Sequence, residues 1–306
     1  SGELMAVADE HSMPLLRIPY ALSYIDIIVN IMNYIFEEQN PRVVLEKYIR
    51  DVLFEAYTDP GLMIERGNML GLNADRTRYV AKTLRFADED DPGGADVQAL
   101  QREGIALAQF ASAQSGLQHC IAVNTQANCS IFLDSDSEST LARLLPFIEN
   151  AALAQLNEIF RQHRVCIGYG HSDGGLPGIR NTYASSLQAL RAGRIFYPDR
   201  QVHHYGEMEI YCVMEKVIGN GEIAQLDGIL EKIGNRELLD TLVAYFDFDA
   251  SVEGAAAKLF AHKNTVKYRL HRIKDLTGLD IKSFSDAMKL YMAVVAHKIR
   301  RSRGHS

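Results

Sequence analysis

The feature that most constrains this chain is the run His262-Lys263-Asn264-Thr265-Val266-Lys267-Tyr268-Arg269-Leu270-His271-Arg272-Ile273. Val266, Leu270, Ile273 and Leu276 recur at spacings of four and three, which places one apolar stripe on an α-helix. Thr265, Tyr268, Arg269 and Arg272 recur the same way on another face, flanked by Lys267, His271 and Lys274. A helix that is apolar on one side and cationic on the other is built to pack on a core while entering a DNA groove. Asn264 is a good N-cap, because its side-chain oxygen can accept from a free amide of the first turn. Thr277-Gly278 supplies the stop, glycine being able to take the left-handed C-terminal conformation. The spacing predicts a helix over roughly 265–277.

Immediately upstream, Val252, Ala256, Leu259 and Phe260 share a helical face in the segment 251–260, with Asp249 or Ser251 available as its cap. The three alanines Ala255, Ala256 and Ala257 allow a second helix to cross closely. Only Ala261, His262 and Lys263 separate the two segments, a length that suits a helix-turn-helix. Leu238, Leu239, Leu242 and Val243 predict an earlier helix ending near Phe246, and Ser285–Arg300 a later one with Met288, Tyr291, Met292 and Val295 inward. Charge follows the same division. From Arg236 onward there are 13 Lys/Arg against 8 Asp/Glu, a net of +5, while the whole chain carries −7, so residues 1–235 carry −12. No acidic residue falls between Gly254 and Lys274.

The run from Leu238 to Phe246, then Ala255 to Phe260, then His262 to Ile273, then Leu276-Thr277-Gly278-Leu279-Asp280, resembles the C-terminal helix-turn-helix of the PucR/CdaR family of bacterial transcription regulators. Ala255 is a departure, since the family often has threonine there. The phrase from Leu4 to Pro19 resembles the tail of the N-terminal domain of PucR-type regulators, and the chain is then a piece or a truncated relative of one. The resemblance implies double-stranded DNA as a partner, a small-molecule effector and a homodimer in the cytoplasm.

At 306 residues there is room for two or three domains, and 47% hydrophobic with 23% charged residues is an ordinary globular balance. Four cysteines without a Cys-x-x-Cys, namely Cys120, Cys129, Cys166 and Cys212, read as small core residues of a reducing compartment. Cys120 and Cys129 are placed to face each other across a hairpin. The most apolar window, Tyr24–Phe36, is interrupted by Asp26, Asn30 and Asn33, so no membrane span is expected.

Expected domains are 1–40, the tail of an input domain with a connecting helix; 41–205, an α+β sheet domain; 206–235, linker helices; and 236–306, an all-α helix-turn-helix domain. The 20–38 helix serves either as a linker or dimer helix or as a helix packed on its own domain. In the middle region the pattern predicts helices over 42–57, 62–70, 96–115, 139–163 and 179–192. Strands are predicted over 78–86, 119–123, 129–133 and 165–170, with an acidic, glycine-rich loop over 88–95 and helices on one face of a central mixed sheet. That region resembles the GGDEF-like domain of the same regulators. True GGDEF domains are nucleotide cyclases, and their chemistry needs metal-binding carboxylates and a Gly-Gly-acid-Glu hairpin. Here the hairpin reads Asn124-Thr125-Gln126-Ala127-Asn128, without acid or glycine, so a degenerate, non-catalytic module is expected.

Other patterns fail on spacing. Gly168-Tyr169-Gly170 lacks the third glycine of a dinucleotide fingerprint. His203-His204 has no nearby cysteine or spaced acid, which favours a surface or interface role over a metal site. His171, Ser172 and Asp173 are adjacent and cannot form a relay. No catalytic residue, metal ligand or cofactor is assigned. The expected DNA contacts are His262, Lys263, Asn264, Thr265, Lys267, Tyr268, Arg269, His271, Arg272 and Lys274. Thr265, Tyr268, Arg269 and Arg272 approach the major groove, with arginine suited to guanine edges. Lys263, Lys267, His271 and Lys274 touch phosphates, and Asn264 combines capping with a backbone contact. Tyr268 has the alternative of packing on the first helix. The competing class is a ligand-sensing or protein-interaction module without DNA affinity of its own.

Overall fold

A computed structural model describes Met5 and residues 41–54, 59–72, 78–87, 97–113, 117, 119–125, 127–135, 137–172, 175–219 and 224–303. The input-domain tail, the 20–38 helix and the acidic loop lie outside the described residues. The chain divides into two compact units, Ser1–Ala56 and Tyr57–Ser306. In the first, helix α1 (Pro41–Phe54) buries Leu45, Tyr48, Ile49 and Val52, a stripe at helical spacing.

The second unit opens with α2 (Pro60–Met69), whose N-cap Asp59 accepts from the backbone amides of Gly61 and Leu62. There follow β1 (Arg78–Phe86), α3 (Val97–Ser112), β2 (Cys120–Asn124), β3 (Cys129–Ser135), α4 (Glu138–Ile159), β4 (Val165–Ser172), α5 (Ile179–Phe196) and β5 (Val202–His204). The strands form one sheet in the order β2-β3-β1-β4-β5. Every pairing is antiparallel except β4 with β5, so the sheet is mixed.

Strand alternation sorts the two faces. Val80, Leu84, Cys129, Ile131, Leu133 and Ile167 join the core built with α3 and α4. On the opposite face Thr83 Oγ1 meets Ser130 Oγ at 2.9 Å and Ser186 Oγ of α5 at 2.7 Å. Helices therefore cover both faces, not the one face expected. Glycine makes the second layer possible. A Cβ at Gly168 would lie 2.2 Å from the Ser186 carbonyl oxygen, and one at Gly170 would lie 1.8 Å from that of Thr182. The Gly-Tyr-Gly motif is thus a strand surface against which α5 rests directly.

Two further expectations do not hold. The hairpin register pairs Cys120 with Leu133 and Cys129 with Asn124, so the two cysteines sit at opposite ends of the ladder; both are buried thiols. His203 is not at the surface. It lies in β5, 1% exposed, with its ring against Gly193 of α5, where a Cβ would come within 2.1 Å of it. Burial, with the charges of Arg164 and Arg200, pulls its imidazole down to about 4. Among the described residues no group of three His, Cys, Asp or Glu side chains could hold a metal ion. No helix among them is long and apolar enough to cross a membrane.

Helices α6 (Tyr205–Gly219) and α7 (Ala224–Ile233) lead into α8 (Arg236–Asp247), α9 (Val252–Lys258), α10 (Lys263–Thr277) and α11 (Phe284–Arg303). Met208 and Cys212 of α6 pack with Phe196 of α5 and with Ala293, Val295, Ala296 and Ile299 of α11. Leu290 and Val294 of the same helix α11 enter a second core with Ile233, Leu242, Ala255, Val266, Leu270 and Ile273. Helix α11 thus carries one core on each side. Met288, expected to point inward, is half exposed at 50%, because the buried stripe runs through Leu290, Ala293, Val294 and Val295.

Candidate nucleic-acid interface

Ser251 starts α9, its hydroxyl accepting from the Gly254 amide at 3.0 Å. Ala255 and Ala256 are buried, so α9 approaches its neighbours closely. The helix ends at Lys258, earlier than the pattern suggests. Phe260 takes φ +52° and is 99% exposed, and so leaves the apolar face on which helical spacing places it. The left-handed turn at Phe260 redirects the chain into α10.

Helix α10 begins two residues before the expected start. His262, in extended conformation, is its N-cap, and its Nδ1 accepts from the Asn264 amide at 3.2 Å. Asn264 is therefore inside the first turn, and the cap assigned to it belongs to His262. The helix closes on Gly278 at φ +76°, whose amide donates to the Lys274 carbonyl at 2.8 Å. Val266, Leu270 and Ile273 are buried as the stripe requires, anchoring α10 on α8 and α9.

The polar residues separate into two groups. His262, Lys263, Asn264, Thr265, Lys267, Tyr268, His271 and Arg272 are exposed, Tyr268 at 68%; it does not pack on the first helix. Lys274 is held by Asp280, Nζ to Oδ2 2.7 Å, which raises the lysine above its ordinary range and lowers the aspartate. Arg269 stands apart. Its side chain is 22% exposed, with Nη2 2.7 Å from Glu237 Oε2 and Nη1 3.4 Å from Thr241 Oγ1, both on α8. At about 100° per residue, Arg269 stands only about 60–70° from the centre of the buried stripe, whereas Tyr268 and Asn264 lie almost opposite it. Counting spacings groups Arg269 with Thr265 and Arg272; the helical angle turns it toward α8. The signal for that partner is the acid Glu237 on the preceding amphipathic helix.

The hairpin loop of the sheet domain is tied to itself. Thr125 donates through its amide to the Asn128 carbonyl at 2.9 Å and through its hydroxyl to Asn128 Oδ1 at 2.7 Å. Gln101 of α3 donates to the Thr125 carbonyl at 2.6 Å. The loop residues supply no carboxylate for a metal and no glycine for close approach to a triphosphate.

Comparison with known proteins finds the GGDEF-like domain over residues 55–192 and the PucR C-terminal helix-turn-helix domain over residues 238–296. The chain is 29% identical to the carbohydrate diacid regulator of Escherichia coli over 44% of this chain and 36% of that protein. It is 25% identical to the proline-responsive transcriptional activator PutR of Bacillus subtilis over 44% of this chain and 34% of that one. It is 23% identical to the DNA-binding transcriptional activator AdeR of Bacillus subtilis, over 46% and 35% respectively. The matched region spans about a third of each relative's length. With both domains matched in this order and the helix-turn-helix formed as described, the chain belongs to the PucR/CdaR family.

Proposed function

We propose that this chain is a cytoplasmic, effector-responsive transcriptional regulator of a catabolic operon, which binds double-stranded DNA as a homodimer through α10 and has no enzymatic activity. The observation that carries this reading is the exposed face of α10, free of acidic residues from Lys263 to Lys274, on which Asn264, Thr265, Lys267, Tyr268, His271 and Arg272 stand clear of the core; the first acid, Asp275, lies in the last turn, 3.8 Å from His271. A recognition helix contacts bases mainly from its N-terminal residues; Asn264, Thr265, Lys267 and Tyr268 lie in the first half of α10, and His271 and Arg272 follow in the next turn. Arg272 is the arginine left to meet a guanine edge, Thr265 and Tyr268 stand beside it, and Lys263, Lys267 and Lys274 meet phosphates. Arg269 braces the helix on α8 and reads no base. Relatives described as transcriptional activators and as a regulator of carbohydrate diacids support the regulatory role and the catabolic setting.

Selection of bound sequences from random duplex DNA tests the proposal. The expected product is a paired half-site whose centres lie about 34–36 Å, or a multiple of that, apart. Failure to enrich any sequence, by a folded chain that nevertheless binds another protein, would favour a protein-interaction module instead.

A further inference from the structure

A cavity of about 410 Å³ lies where the end of α5 and helix α6 meet α8 and α11. Its walls are aromatic. Phe196 and Tyr211 stack with ring centres 4.3 Å apart, and Phe246 tilts on Tyr291 at 5.1 Å. The hydroxyls of Tyr197, Tyr211 and Tyr291 form a chain, at 2.9 and 3.1 Å. Phe284 and Met288 of α11 also line it, 80% and 50% exposed, so apolar surface is left in solvent beside the opening.

Two cations, Arg200 and Lys298, and two acids, Asp247 and Asp249, line the cavity. Lys298 Nζ is 2.5 Å from Asp247 Oδ1, so that carboxylate is already neutralised. Arg200 lies over the Tyr197 ring at 4.3 Å and reaches Glu207 at 3.3 Å. A guanidinium has five donors and an ammonium three, and each uses one on its acid partner. The groove alongside shares Arg200 and Lys298, and its lining has seven Lys/Arg against four Asp/Glu. That excess makes the approach positive.

The backbone ties the cavity to the helix-turn-helix. Asp249 and Ala250 line it at φ +52° and +58°, consecutive non-glycine residues in the left-handed region. Such conformations concentrate at ligand clamps and switches. The next residue, Ser251, caps α9.

We propose that this cavity binds a small aromatic carboxylate, its ring packed among Phe196, Tyr211, Phe246 and Tyr291 and its carboxylate held by Arg200 and Lys298. Burial raises all three tyrosines above the ordinary phenol range, Tyr211 to about 12, so they stay protonated; two of the protons are spent within the chain of hydroxyls, and the one left over donates to a ring substituent. Occupancy presses on the 247–251 turn and so reaches α9. The bound molecule therefore acts on the DNA-binding unit from within this chain.

Calorimetric titration of the full chain tests this without DNA, so its outcome is independent of the function proposed above. The probes are matched pairs: benzoate and benzylamine, phenylacetate and phenethylamine, indole-3-acetate and tryptamine. At least one acid should bind more tightly than its amine, and Arg200→Gln or Lys298→Gln should weaken it about tenfold or more. Because Lys298→Gln also breaks the Asp247 pair, Ala287→Phe serves as a second variant; it fills the cavity from α11 and should abolish binding with the melting curve retained. Absence of binding by every acid, tighter binding of the amines, or affinities unchanged in Arg200→Gln and Ala287→Phe would overturn the assignment.

Discussion

Arg269 shows how far a single residue is defined by angle instead of spacing. Held by Glu237 and Thr241 on α8, it fixes the tilt of the helix that carries Arg272 and Tyr268. The pair is half in solvent, with Glu237 73% exposed, so its contribution is modest. Arg269→Ala and Glu237→Ala should each lower stability by about 0.5–1 kcal/mol, and the double variant by little more than either. Denaturant melts of the three proteins check this; additive losses would mean that the two side chains do not act together. Phe260 makes the complementary case. It has almost no contacts to lose and a backbone that L side chains avoid. Phe260→Asn should therefore raise stability, by about 0.5–1 kcal/mol, since asparagine tolerates the left-handed region. A lower melting temperature for that variant would show that Phe260 packs in a way its exposure does not reveal.

Among the elements, β4 and α5 make the sharpest demand on sequence. Gly170→Ala sets a Cβ against the backbone of α5 and should cost about 1–3 kcal/mol, read as a fall in the denaturation midpoint. An unchanged midpoint would mean that α5 can step away from the sheet. Periodicity made most elements legible: β1 occupies 78–86 as the pattern predicts, and the buried stripe of α10 is the one its spacing marks. What spacing could not reveal was set by tertiary partners. Helix α5 covers the second face because Gly168 and Gly170 admit it, a close approach that the sequence displays only as a broken nucleotide motif. Strand β5 is three residues long, too short for any periodic signal, and it carried His203 into the core. The cap of α10 went to His262 because an imidazole nitrogen in extended backbone reaches the Asn264 amide. The aromatic cavity is assembled from four helices, and no local stretch announces it.

For the whole molecule, His203 predicts an acid-sensitive fold. Its folded pKa, about 4, lies below the ordinary 6.5, so the unfolded chain binds the proton first. Stability is full above about 6.5, falls as the pH drops toward 4 and levels off below, by roughly 2–3 kcal/mol. His119 works in the opposite sense, since its hydrogen bond to Asp134 raises it and favours the fold at low pH. The comparison of wild type with His203→Phe isolates the first effect: the variant should lack that part of the slope, and equal slopes would contradict the burial. The proposed regulatory role requires that α10 read DNA. Fluorescence anisotropy on a selected duplex and a random one, at two salt concentrations, measures this. Arg272→Ala should lose about 1–3 kcal/mol on the selected duplex and much less on the random one. Lys267→Ala should weaken both alike and reduce the salt dependence by about one counterion. Binding that ignores salt, or that survives a Thr265/Tyr268/Arg272 triple alanine variant unchanged, would mean that α10 is not the DNA-reading helix.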